Sequence, residues 1–281
     1  MAFLRYAFVD AITFWIFVGY ILGTFFVSYL SYKYIEPIRI TRPINKILLY
    51  GFTAVVIAVA FLIYRHAGVV RDVPELGITL SNPYASRNTE YIDRIYDYDK
   101  PFATDKIKVL VVGNSFARDF ACVLLEWDKD NRIELSYQFD YDDTQTDHRY
   151  EECDYLFYLG AKYDVPAEIW QRISLVSCQV YGIGTKNFGK CFGRIYAKRH
   201  IMAYYDSAIP VHPLCRQVND SWKKSWGANY MDFVRAAQRE DGLIRLFTPD
   251  KMIISFDCLH LTPAGGRYFA TQFDFEHIFN E

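Results

Sequence analysis

The sequence predicts an α/β domain built on a mostly parallel sheet, preceded by two helices that cross a membrane. Three observations carry this. Two long uncharged segments stand close together in the first 64 residues. Beyond residue 106, apolar runs of strand length alternate with amphipathic helical patterns, the order expected of strands that lie parallel with helices packed on them. Where the first of those runs ends, a Gly-Asn-Ser turn opens a helix. The chain has 281 residues, 52% of them hydrophobic, and a formal net charge of −2. That is material for one sizeable domain and for the apolar segments besides.

The first segment, Ala11 to Leu30, reads AITFWIFVGYILGTFFVSYL, and the second, Ile47 to Tyr64, reads ILLYGFTAVVIAVAFLIY. At about 1.5 Å per residue each spans roughly 27–30 Å, the thickness of a hydrocarbon core. A signal peptide would have a shorter apolar region and a small-residue cleavage site; Asp10 flanks the first segment and a second span follows. The connector SYKYIEPIRITRPINK carries Lys33, Arg39, Arg42 and Lys46 against Glu36. The positive-inside rule makes it cytoplasmic and puts everything after Tyr64 outside. The expected organisation is a transmembrane helix in 1–32, a basic cytoplasmic loop in 33–46, a second transmembrane helix in 47–64, a stalk in 65–105 and an extracytoplasmic domain in 106–281. Six cysteines (Cys122, Cys153, Cys178, Cys191, Cys215, Cys258) would then lie in an oxidising space, and their spacing selects no pairing and fits no zinc site.

Within the domain, strands are expected at IKVLVV, IELSYQF, CDYLFYL, SCQVYGI and MIISF. Helices are expected at SFARDFACVLLEW, PAEIWQRISLV, ANYMDFVRAAQRED and PAGGRYFATQF. In such a sheet ligands bind at the carboxyl ends of the strands. Ser115 stands there, just past the first strand. It is either a cap for the helix whose apolar face is Ala117, Phe120, Ala121, Leu124 and Leu125, or a nucleophile facing free N–H groups at the helix start. A serine hydroxyl needs a base to attack. One stands at the far end of the chain in SFDCLHLTPAGGRYF, where Thr262-Pro263 starts the last helix. Asp257 and His260 fall in the turn before it, three residues apart, so the carboxylate can hold the imidazole while the second ring nitrogen faces a hydroxyl.

These blocks resemble a known family. G-N-S-F-A near the domain start and D-x-x-H-L-T near its end are similar to the first and last blocks of SGNH hydrolases, with Asn114 where the family usually has Asp. The resemblance implies a three-layer α/β fold and a Ser115–His260–Asp257 triad. S-Y-K-Y-I-E-P after the first apolar span is similar to the signature closing the membrane domain of acyltransferase 3 proteins, many of which carry one further span and then an SGNH domain. It implies O-acylation of a cell-surface polysaccharide at the cell membrane, by a two-pass chain whose catalytic domain is periplasmic or extracellular. Acyl-CoA would be the ultimate donor, and no cofactor is bound. The acyl group would come through a membrane domain of which this chain holds only the last span and the connecting one, so either the sequence is the C-terminal part of a longer protein or the rest of that domain is an expected partner.

The middle blocks fit less closely. After CDYLFYL stands Gly160, the place of an oxyanion donor, without the family's G-x-N-D. The later segment YGIGTKNFGKCFG offers Asn187, either an oxyanion donor or a turn residue, and Lys186, either a sugar or phosphate contact or a solvated lysine. Trp222 and Trp226 could offer faces to a sugar ring, or belong to the core or a lid. The acidic run Asp140 to Asp154 lacks calcium-loop spacing and reads as solvated. No basic stripe points to nucleic acid. The competing outcomes are ester hydrolysis at the same triad and a non-catalytic glycan-binding module.

Overall fold

The computed structural model describes residues 13–35, 43–66, 72–84, 88–139, 148–189 and 202–280. Arg39, Arg42, Cys191 and the start of the acidic run lie outside them. The chain forms two compact units, Met1–Ala85 and Ser86–Glu281.

In the first unit, α1 spans Phe14–Leu30 and runs into a π-helical turn at Ser31–Ile35, and α2 spans Pro43–Arg65. No residue of α1 is buried; Phe14, Trp15, Phe25, Phe26 and Val27 are each more than half exposed. Three of these are consecutive, so the apolar surface runs around the axis. A helix apolar all round belongs in a core or in lipid. Among the described residues Phe14–Tyr34 is the one helix long and apolar enough to cross a membrane; the apolar stretch of α2, Leu49–Arg65, is shorter.

The second unit is the α/β domain. It opens with α3 (Asn88–Asp93), then β1 (Ile107–Val112), α4 (Ser115–Trp127), β2 (Ile133–Gln138), β3 (Tyr155–Leu159), α5 (Ala167–Ile173) and β4 (Gln179–Ile183). After these come β5 (Ala208–Ile209), α6 (Pro213–Trp226), β6 (Tyr230–Met231), α7 (Phe233–Ala237), β7 (Ile244–Arg245), α8 (Pro263–Ala270) and α9 (Phe275–Phe279). The main sheet has the order β2-β1-β3-β4-β6, every neighbour parallel. Side chains alternate between its two faces. Leu110, Val112, Leu156 and Tyr158 pack with Tyr150, Ile169, Ile173 and Trp226 on one face. On the other, Phe157 meets Phe120 of α4 at 4.9 Å and Tyr155 meets Phe279 of α9 at 4.8 Å.

Three expectations are corrected. MIISF is not a strand of the sheet, although Ile253 and Ile254 are almost fully buried. Its backbone is satisfied within the loop: Ile254 N donates to Leu246 O at 3.0 Å and Ile254 O accepts from Thr262 N at 3.0 Å. The fifth strand is instead the short β6, inside a stretch expected to be one helix; only Phe233–Ala237 of that stretch is α-helical. Finally, the domain begins well before residue 106. Ile95 is fully buried, Ser136 Oγ donates to Lys100 O at 2.6 Å, and Glu134 accepts from Ala103 N at 2.7 Å and Thr104 N at 2.8 Å. This segment covers the edge strand β2, whose outer side would otherwise be open to pairing.

Candidate active site

All five strands of the parallel sheet end on the same side, and β1 is where the chain reverses direction across the sheet: β2 lies to one side of it and β3 to the other. Such a switch point opens a crevice between the carboxyl ends of the two strands. At the end of β1, Gly113 adopts φ +139°, and a Cβ there would come within 2.7 Å of Leu159 Cβ. Only glycine lets the strand turn this tightly beside β3. Asn114 then caps α4, its Oδ1 accepting from Phe116 N at 2.9 Å. Aspartate and asparagine are equally good at that task, which accounts for Asn114 without a chemical role. Ser115 is the first helical residue, half-buried at the mouth of the crevice.

The loop before α8 brings the other two residues to it. Thr262 caps α8, accepting from Gly265 N at 3.0 Å. Asp257 Oδ1 organises the turn, accepting from Leu259 N at 2.9 Å, His260 N at 2.7 Å and Ser255 Oγ at 3.2 Å. Its second oxygen, Oδ2, lies 2.7 Å from His260 Nδ1. His260 Nε2 lies 3.1 Å from Ser115 Oγ. Burial works against ionising Asp257, but the His260 side chain and the His260 and Leu259 N–H groups outweigh it and hold the carboxyl well below the usual carboxylate range. An ionised carboxylate only accepts, so Nδ1 carries the proton and donates, leaving Nε2 to accept from the Ser115 hydroxyl.

A cavity of about 450 Å³ lies alongside, lined by Asn114, Tyr158, Leu159, Gly160, Asp164, Pro166 and Trp222. Gly160, at φ +135°, follows β3 as Gly113 follows β1. Gly160 and Trp222 thus line one cavity with Asn114, the residue before Ser115. Trp226 does not: it is buried, its Nε1 donating to Gly160 O at 2.8 Å, in the core on that face of the sheet. The expected sugar contact at Trp226 is corrected to a packing role. Asn187 is not among the cavity-lining residues, and its Oδ1 accepts from Gly189 N at 3.2 Å in a local turn.

Lys186 is the largest departure. It is neither a solvated loop residue nor a ligand contact at the surface, but fully buried. Its Nζ lies 2.6 Å from Asp119 Oδ2, donates to Leu259 O, and sits 4.1 Å from the centre of the Phe116 ring. Burial lowers its pKa against the pull of Asp119. Asp119 carries no signal in the sequence, since it falls off the apolar stripe of α4, yet it is fully buried and also accepts from Leu261 N at 2.7 Å.

Among the described residues no group of three His, Cys, Asp or Glu is poised to hold a metal. Cys122, Cys153, Cys178 and Cys215 are free, while Cys258, beside Asp257, is disulfide-bonded.

No family model matches the chain, and no curated protein does. Among solved structures, the periplasmic domain of a lipopolysaccharide acetyltransferase from Salmonella ser. Paratyphi A is similar, with 14% identity and a TM-score of 0.46 over 68% of this chain and 88% of that one. A likeness that distant carries no chemistry from one chain to the other.

Proposed function

We propose that this chain is a membrane-anchored, serine-dependent O-acyltransferase that moves an acetyl or similarly short acyl group onto hydroxyls of a cell-surface polysaccharide. What supports it is the unbroken hydrogen-bonded series from Ser115 Oγ through His260 to Asp257, with contacts of 3.1 and 2.7 Å. Ser115 Oγ attacks the acyl carbonyl while His260 Nε2 takes its proton. The carbonyl oxygen gains the negative charge, and the N–H groups of Ser115 and Gly160 are the donors for it. Collapse expels the leaving group, which takes the proton back from His260 and leaves Ser115 acylated. An acceptor hydroxyl then gives its proton to His260 as it attacks, and Ser115 leaves with that proton. Asp257 holds the ring throughout and balances the imidazolium. The half-exposed face of Trp222 and the exposed Asp164 carboxylate on the cavity wall suit a hydroxyl-bearing ring.

The two apolar helices anchor the chain in this reading, and the basic connector places the domain outside. The acyl group originates from acyl-CoA and arrives through further membrane-spanning segments, as the resemblance to acyltransferase 3 proteins implies. Hydrolysis is the competing outcome, favoured by one observation: the His260 side chain is 32% exposed, so water reaches the site.

The test is p-nitrophenyl acetate turnover by the detergent-solubilised chain, with and without added polysaccharide. Ser115→Ala is expected to lower kcat by at least about 10³-fold, and intact mass should show one acetyl group on the wild type alone. Polysaccharide should divert the acetyl group from water to sugar. Equal activity in Ser115→Ala would overturn Ser115 as the nucleophile.

A further inference from the structure

The reaction proposed above uses Ser115, His260 and Asp257, and leaves the fully buried Lys186–Asp119 pair without a task. Removing two charges from water is expensive, and a pair of this kind is rarely the most stable way to fill a core. Its surroundings point to one task. Each partner touches both elements of the site. Asp119 belongs to α4, the helix that Ser115 begins, and its Oδ2 accepts from Leu261 N at 2.7 Å, one residue past His260. Lys186 comes from the segment after β4; its Nζ donates to Leu259 O, one residue before His260, and lies 2.6 Å from Asp119 Oδ2. The backbone on both sides of His260 is therefore tied to α4 through two charged groups.

The third face of the ammonium is used as well. Nζ sits 4.1 Å from the centre of the Phe116 ring, and that ring stands edge-to-face with His260, centroids 6.3 Å apart at 79°. Phe116 directly follows Ser115. An ammonium has three donors, and here it has a carboxylate, a carbonyl and an aromatic face within reach. The other charged groups near it are Asp257 and Arg118. Arg118 Nε lies 3.8 Å from the second oxygen of Asp119.

We propose that Lys186 is a positioning residue which, with Asp119, fixes the His260 loop against the start of α4 and so sets the Nε2-to-Oγ distance. The proposal rests on the reading of Ser115, His260 and Asp257 as an acyl-transfer site. Misplacing a base by about 1 Å costs on the order of 10²-fold in rate. A methionine at 186 fills a similar volume without donating to Leu259 O.

Lys186→Met alone leaves the Asp119 carboxylate buried with only Arg118 near it, and that variant can fail to fold for this reason alone. The double variant Lys186→Met/Asp119→Asn removes both charges, and the amide that replaces the carboxylate still offers an oxygen to Leu261 N. The full-length double variant is expected to melt within a few degrees of wild type. Its kcat for p-nitrophenyl acetate should fall about 10- to 100-fold with KM within about twofold. Amide exchange in residues 257–261 should quicken while the rest of α4 keeps its protection.

Wild-type kcat with unchanged exchange, in a folded double variant, would overturn the proposal. So would a fall in kcat matched by an equal rise in exchange along the whole of α4, which would mark a general loss of structure. If the loop loosens but wild-type turnover proves independent of Ser115, the positioning role stands and the acyl-transfer reading falls.

Discussion

Asp257 divides its two oxygens between two tasks, and this makes a single substitution informative. Oδ1 accepts the bonds that shape the turn and Oδ2 faces His260. In Asp257→Asn the amide oxygen can keep the turn while the NH₂ group faces Nδ1. That forces Nδ1 to accept and puts the proton on Nε2, where it blocks transfer from Ser115. We expect kcat to fall on the order of 10³–10⁴-fold. The substitution also has a pH signature. The folded-state pKa of Asp257 is depressed, so its contribution to stability is complete above the unfolded carboxyl value of about 4 and is lost as pH falls below it through the folded value. Urea titrations should therefore show wild type more stable than Asp257→Asn by about 1–3 kcal/mol at pH 7, with the gap closing below about pH 4. A gap that does not change with pH would mean the charge is not its source. The three residues of this series were legible in the sequence because turn and cap chemistry is local: Gly-Asn-Ser after a strand, and Asp-x-x-His before Thr-Pro. Lys186 and Asp119 were not. A lysine among glycines reads as solvated and an aspartate off the apolar stripe reads as exposed, and only tertiary packing buries them together.

At the scale of elements, the site depends on how closely β1 and β3 end beside each other. Gly113 sets that approach: a Cβ would stand 2.7 Å from Leu159 Cβ and 3.1 Å from Ala117 Cβ, on a backbone at φ +139° that side chains rarely adopt. Gly113→Ala should cost about 2–4 kcal/mol, from backbone strain and overpacking together, read as a drop in the thermal midpoint. The same clash pushes on the residue before Gly160, so activity should fall further than stability accounts for. A midpoint within a degree of wild type would show that the junction relaxes freely. The strand–helix alternation was readable from periodicity for β1 to β4 and for α4, whose apolar face and cap agree. It failed at MIISF, where a short apolar run is buried as a loop: a run of that length looks the same whether its backbone bonds go to a strand or to Leu246 and Thr262. It failed again at β6, two residues of strand inside a helical pattern.

For the whole molecule, composition marks two uncharged runs, of which one, Phe14–Tyr34, lies in a helix long and apolar enough to cross a membrane among the described residues, and it locates the domain start poorly. Lipid demands an uncharged run of a given length, which is a property of composition alone. The segment 88–105 is rich in Tyr and Asp and reads as a linker, but it folds onto β2 through side-chain bonds to its backbone that no periodicity reveals. The same composition limits what the helices can do. Neither Ala11–Leu30 nor Ile47–Tyr64 holds a charged residue or a histidine. The hydroxyls of Thr24 and Thr53 fold back onto their own helices, donating to Tyr20 O at 2.8 Å and Leu49 O at 2.9 Å. Groups that carry a polar substrate through a bilayer are ionisable side chains facing an interior pathway, and these two apolar segments hold none. We therefore expect the purified chain, alone in sealed vesicles, to leave a trapped polysaccharide unmodified when acyl-CoA is supplied outside. The same vesicles should turn over p-nitrophenyl acetate, which reaches the domain directly. Acylated polysaccharide inside, with no second protein present, would show that these two helices suffice to pass the acyl group.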